Sequence, residues 1–169
     1  DNYILSQRTA FDRDLFAQES LRQYDLIIGN PPYKKIGKDA LEALAIPEVC
    51  YGAPNLYFLF AAMGIKNLKD DAEMVYIIPR SWTSGAYFEK FRKFLFSHAC
   101  IEYIHLFESR NKVFDKESVL QETMIVKFKK NTRFPSCITI STSATNKDFS
   151  DLHKLDVPYQ VVVSDNHYY

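Results

Sequence analysis

The tetrapeptide Asn30-Pro31-Pro32-Tyr33 concentrates the chemistry that this chain could perform. The NH2 group on an aromatic ring is a poor nucleophile because its lone pair is delocalised into the ring. A site that makes it attack must accept both hydrogens and hold the nitrogen nearly tetrahedral, which calls for two acceptors and no competing donor. The Asn30 side-chain oxygen and the Pro31 carbonyl can each accept one N–H. Pro32 has no amide hydrogen, and its ring stiffens the turn. Tyr33 adds an aromatic face on which a base drawn out of a duplex could stack. The lone pair would then attack a sulfonium methyl in line, with proximity and orientation lowering the barrier and no covalent enzyme intermediate. The plainer alternative for the same residues is a rigid Pro-Pro turn in which Asn30 bonds its own backbone.

The elements around the motif decide whether it sits where a site belongs. Residues 24–29 (YDLIIG) read as a buried strand that the two prolines terminate. In open α/β sheets ligands bind beyond the carboxyl ends of strands, which is where the tetrapeptide falls. From Pro54 onward Leu56, Leu59, Phe60, Met63 and Leu68 recur at helical spacing, giving a helix with one apolar face and Pro54 in its first turn. After the polar break Lys69-Asp70-Asp71 comes a second buried strand, EMVYIIP. Ser84 is then a candidate N-cap for a helix with Tyr87, Phe88, Phe91, Phe94 and Leu95 inward and Lys90, Arg92 and Lys93 outward. Residues 101–107 and 122–129 read as two further strands joined by a loop, which permits an antiparallel pairing at a sheet edge. Alternating strands and long helices define the α/β class with a mostly parallel sheet. Beyond Lys130 the pattern weakens: a short helix near Asp148 to Leu155 and a last strand in YQVVV are the readings available.

Bulk properties narrow the classes. The chain has 169 residues, 47% of them apolar and 15% aromatic, enough for one buried core. Lys plus Arg and Asp plus Glu each total 21, so the net charge is zero and any contact with a polyanion must be local. Lys34, Lys35 and Lys38 follow the motif and could neutralise DNA phosphates. Lys127, Lys129, Lys130 and Arg133 form a second cluster; both also fit ordinary solvated faces. The three cysteines are odd in number and widely spaced, which fits a reducing cytoplasm. The four histidines have no ligand spacing with them, so no metal site is expected. No apolar run reaches the roughly 20 residues of a membrane span, and the N-terminus does not read as a signal peptide.

YDLIIGNPPY resembles the catalytic motif of the amino-group methyltransferases, and the order of segments over about Asp12 to Lys130 is similar to the adenine-N6 DNA methyltransferases of restriction-modification systems. The resemblance implies an S-adenosylmethionine-dependent fold of Rossmann-like type, double-stranded DNA with a flipped adenine as substrate, and Asn30, Pro31, Pro32 and Tyr33 as the catalytic turn. It places an acidic residue sixteen positions before the catalytic Asn against the cofactor's adenine; Asp14 stands there, with Asp12 as competitor and Phe16 flanking the ring. Asn55, Leu56 and Tyr57 in PNLYFLF would line the methionine end, or serve only as a core helix. Pro79, Ser81 and Trp82 in the PRSW loop would lie near the mouth of the site. Phe114, in KVF, would hold the flipped base with Tyr33, or be a simple core residue.

Two family features have no counterpart in the sequence. The five glycines form no Gly-rich cofactor loop, and the thirteen residues before Asp14 cannot hold the strands and helix that should precede it, since one βαβ unit takes about 30 residues. The expectation is therefore the later part of a catalytic domain in residues 1–130 and, in 131–169, a weakly patterned tail leading toward a target-recognition region. A fused or partner nuclease and a recognition subunit would complete such a system. The tetrapeptide also suits enzymes that methylate glutamine amides or RNA, and cytosine N4 chemistry is close, though Ser more often stands there in place of Asn. Cytosine C5 chemistry needs a thiolate nucleophile, and no cysteine here follows a proline. A non-catalytic base-binding or scaffold subunit is the reading from a different class.

Overall fold

The computed structural model describes residues 24–107, 122–144, 149 and 152–164. The described part is one six-stranded mixed sheet: β1 (Tyr24–Gly29), β2 (Leu68–Pro79), β3 (Cys100–Phe107), β4 (Thr123–Lys129), β5 (Cys137–Ser143) and β6 (His153–Pro158), in spatial order β1-β2-β4-β3-β5-β6. β1 and β2 are parallel, as are β3 and β5, whereas β4 runs antiparallel to both β2 and β3. The α/β class holds, but the β3–β4 pair lies inside the described sheet rather than at its edge, because β5 pairs along the far side of β3 and β6 along β5. With β1, β2, β3 and β5 pointing one way, their carboxyl ends share one edge of the sheet, and Asn30 follows the first of them.

Between β1 and β2 come α1 (Leu41–Ala45) and α2 (Leu56–Asn67). Pro54 precedes α2 rather than opening it; Asn55 is the N-cap, its side chain accepting the Tyr57 amide at 3.3 Å. Nor is α2 one-faced. Tyr57 through Ile65 are all buried, since the helix lies between the sheet and α3 (Glu89–His98). Phe58 sits among the rings of Tyr57, Tyr87, Phe88 and Phe91 at centroid distances of 5.4 to 6.1 Å. Truncating such a core aromatic typically costs about 3–5 kcal/mol.

Several local expectations are corrected. The polar stretch 69–71 does not separate helix from strand: β2 already begins at Leu68, and the register slips from Tyr24↔Leu68 to Leu26↔Glu73, so the polar residues bulge from the ladder. The second helix begins at Glu89 after a 3-10 turn over Ala86–Phe88, with Phe88 rather than Ser84 at its cap. Arg92 is not outward but buried. YQVVV is not a strand: Tyr159–Val162 form the short helix α4, and His153 to Leu155 belong to β6. β1 is buried on one face only: Ile27 joins the core, while Leu26 and Ile28 are 51% and 62% exposed. It is the edge strand of the described sheet, and α2 packs on its Ile27 side.

Gly29, the last residue of β1, passes close over a buried ring. A Cβ there would come within 2.9 Å of Tyr76 Cε1, and Tyr76 is 1% exposed with nowhere to move. Gly29→Ala should therefore lose about 1–3 kcal/mol through overpacking, read as a lower urea midpoint; an unchanged midpoint would contradict this packing.

Candidate functional site

Beyond Asn30 the chain offers no ladder donor, because the next two residues are prolines. The Ile77 carbonyl of β2 is satisfied instead by the Tyr33 hydroxyl, which donates to it at 2.8 Å. That bond fixes the turn against the neighbouring strand. Pro31 is buried, Pro32 and Tyr33 are half-buried, and Asn30 is exposed, with no hydrogen bond to its carboxamide among the described residues. The four residues thus present a free carboxamide at the carboxyl edge of the sheet on a turn anchored from beneath.

The segment after the motif is stapled to the start of α2. Leu56 N–H donates to the Lys34 carbonyl and Ile36 N–H to the Pro54 carbonyl, both at 2.8 Å, closing an antiparallel bridge between Lys35 and Asn55. Asn55 therefore lies beside the motif's continuation, and Tyr57, two residues on, meets Tyr33 edge-to-face, 6.2 Å between centroids at 82°. The Tyr57 hydroxyl shares a 3.3 Å hydrogen bond with Ser81 Oγ. The structure brings Asn30, Pro31, Pro32, Tyr33, Asn55, Tyr57 and Ser81 into one neighbourhood. Trp82 is different: it is 1% exposed and wedged between Phe91 and Phe128, a core residue rather than a lining one. Asp12, Asp14, Phe16 and Phe114 lie outside the described residues.

The two lysine clusters separate on electrostatic grounds. Lys34, Lys35 and Lys38 are exposed, with Lys35 Nζ 6.0 Å from the centre of the Tyr87 ring. In the second cluster Lys127 pairs with Glu73 at 2.7 Å and Glu102 at 3.0 Å, and the Glu73 contact leads in raising its pKa. Lys130 donates to the Leu68 carbonyl at 2.6 Å. Local partners thus engage Lys127 and Lys130, and the free positive charge nearest the motif is on the first cluster. Among the described residues no group of His, Cys, Asp and Glu could hold a metal, and no helix is long and apolar enough to cross a membrane.

Sequence reasoning missed Arg92, although a signal was present. Phe88, Phe91, Arg92 and Leu95 share the i, i+3, i+4, i+7 stripe, so the arginine lies on the apolar face.

An Asn-Pro-Pro-Tyr turn thus stands at the carboxyl end of a strand in a mixed, Rossmann-like α/β sheet. The same fold occurs in a Listeria monocytogenes structure assigned to the class I S-adenosylmethionine-dependent methyltransferases, with TM-score 0.60 and 18% identity over 79% of this chain and 41% of that one. The chain belongs to the Eco57I restriction-modification methylase family, whose model matches residues 2–114. It is 36% identical over 92% of its length to the type II methyltransferase M.BsuBI of Bacillus subtilis, and 35% identical over 85% to M.PstI of Providencia stuartii. It spans only 30% and 28% of those relatives' own lengths.

Burial pushes the phenols of Tyr33, Tyr57 and Tyr76 well above the usual tyrosine range, with the Ser81 bond partly opposing this at Tyr57. Unfolding releases them to ionise near ~10. Their contribution to stability is fully present below that pH and is lost as pH rises above it toward the folded values. The urea midpoint should hold through neutral pH and fall between about pH 9.5 and 11; a flat profile across that window would show that these rings are not buried.

Proposed function

We propose that the protein carrying this segment is a site-specific DNA methyltransferase that transfers a methyl group to the N6 amino group of adenine within a cytoplasmic restriction-modification system. The observation that carries this reading is the exposed Asn30 carboxamide on a turn anchored at Pro31 and by the Tyr33–Ile77 bond, in a chain of the Eco57I methylase family. Asn30 Oδ1 and the Pro31 carbonyl accept the two N–H bonds of the adenine amine and return its lone pair to nitrogen. Tyr33 and Phe114 stack the flipped base, and Lys34, Lys35 and Lys38 meet the DNA backbone beside it. Residues 1–130 supply the catalytic part, and 131–169 lead toward a target-recognition region; a nuclease, fused or separate, completes the system.

S-adenosylmethionine, when bound, supplies the sulfonium methyl. The residues at this edge fit its methionine end: Asn55 caps α2 through its oxygen, and its amide nitrogen has no partner among the described residues. Asp14 and Phe16 would hold the adenosine end. Because no Gly-rich loop is present, residues 1–169 on their own should bind S-adenosylmethionine weakly and not turn over; tight binding by titration calorimetry would overturn that expectation.

In the complete protein Asn30→Ala should abolish methylation, a loss of at least about 10²-fold by analogy with removal of one preorganised transition-state contact. Single-molecule sequencing of DNA from cells expressing wild type should reveal N6-methyladenine at one motif, absent in the variant. Equal modification by both would sink the assignment, and a different modified base or an unmodified genome would sink the adenine reading.

A further inference from the structure

Arg92 has no role in the chemistry just described, yet it is a guanidinium 1% exposed within an aromatic core. Burying such a charge is costly unless its donors are used, and a Met or Leu of similar volume would pack beside Phe91 and Leu95 at less cost. Two of its donors reach one loop: Nη1 donates to the Trp82 carbonyl at 3.0 Å and Nη2 to the Gly85 carbonyl at 2.8 Å. Both carbonyls belong to the loop that leaves β2 at its carboxyl end and turns at Gly85, where φ is +79°. The loop is also held by the Trp82 indole between Phe91 and Phe128, by Arg80 N–H donating to the Glu122 carbonyl at 2.7 Å, and by the Arg80–Glu122 ion pair at 3.2 Å.

What the loop carries is Ser81, whose Oγ meets the Tyr57 hydroxyl, and Tyr57 packs in a T-shaped pair with Tyr33 of the proposed catalytic turn. We infer that Arg92 is a positioning residue: by clamping the Trp82 and Gly85 carbonyls it holds Ser81 on Tyr57, and so fixes the wall against which Tyr33 presents a target base. Arg92 touches no substrate. A planar five-donor fork suits this task because it spans two carbonyls at once, which an ammonium on a flexible stem does less rigidly. This role rests on the proposed methyl transfer at the Asn30 turn, and the test separates the two.

The test uses the complete protein and compares wild type, Arg92→Met, Arg92→Lys, Ser81→Ala and the Arg92→Met/Ser81→Ala double variant. Single-turnover methylation of a duplex bearing the site, DNA affinity and thermal unfolding are measured for each. Arg92→Met should unfold cooperatively and bind DNA within about twofold of wild type, while its single-turnover constant falls by about 10 to 100-fold, the loss expected from a misplacement of order 1 Å. Ser81→Ala should lose less, and the double variant should be no slower than Arg92→Met, because both act through one contact. Arg92→Lys should recover part of the rate. Additive losses, a wild-type rate in Arg92→Met, no loss in Ser81→Ala, or unfolding of both Arg92 variants would each overturn the positioning role. Absence of N6-methyladenine from the wild-type product would instead overturn the proposed function, independently of Arg92.

Discussion

The hydrogen bond from the Tyr33 hydroxyl to the Ile77 carbonyl is the constraint on which the site depends. Two prolines end β1 by withholding the amides that would continue the ladder to β2. The hydroxyl of the very next residue, Tyr33, supplies the missing donor, so the strand stops while its continuation stays attached. Gly29 lets the backbone pass over the Tyr76 ring just before the turn, and the Lys35–Asn55 bridge takes the chain onward to α2. The outcome is a short rigid loop whose first residue, Asn30, projects from the carboxyl edge of the sheet while the next is buried. Rigidity of this kind suits a site that works by holding a group in place rather than by covalent chemistry.

Around that turn the support is aromatic. Tyr57, Phe58, Tyr87 and Phe88 pack edge-to-face, with Phe91 tilted against Phe58, giving directional contacts beyond plain area burial. The polar ends of these rings are directed to named partners: Tyr57 to Ser81, and Tyr87 to the Ala53 carbonyl at 2.6 Å. A tyrosine is already neutral through the physiological range, and burial only raises the Tyr33 and Tyr57 phenols further, so these hydroxyls do not change charge there.

How much could be read without coordinates follows from what each pattern encodes. The strand before Asn30 and the helix after Pro54 were legible as elements because apolar runs and helical spacing mark them, but their burial was not: Leu26 and Ile28 of β1 are exposed, and α2 is buried all round. The mixed direction of the sheet was less so, because strand pairing is a long-range property, β5 is rich in Ser and Thr, and the charged start of β6 reads as part of a short helix. The inward position of Arg92 was misread through residue type, although its place on the Phe88–Phe91–Leu95 stripe was in plain view. At the site, the tetrapeptide and its place after a strand were legible, whereas the Tyr33–Ile77 and Tyr57–Ser81 bonds join residues 44 and 24 positions apart, which no local pattern reports.

A crystal structure of the complete protein, bound to cognate duplex DNA and a non-reactive S-adenosylmethionine analogue, tests the paired acceptors most directly. The adenine amino nitrogen should lie within about 3.2 Å of both Asn30 Oδ1 and the Pro31 carbonyl oxygen, the N–H···O range, with the ring stacked on Tyr33. An adenine left in the duplex, or flipped with its amine held by other residues, would contradict the role assigned to this turn.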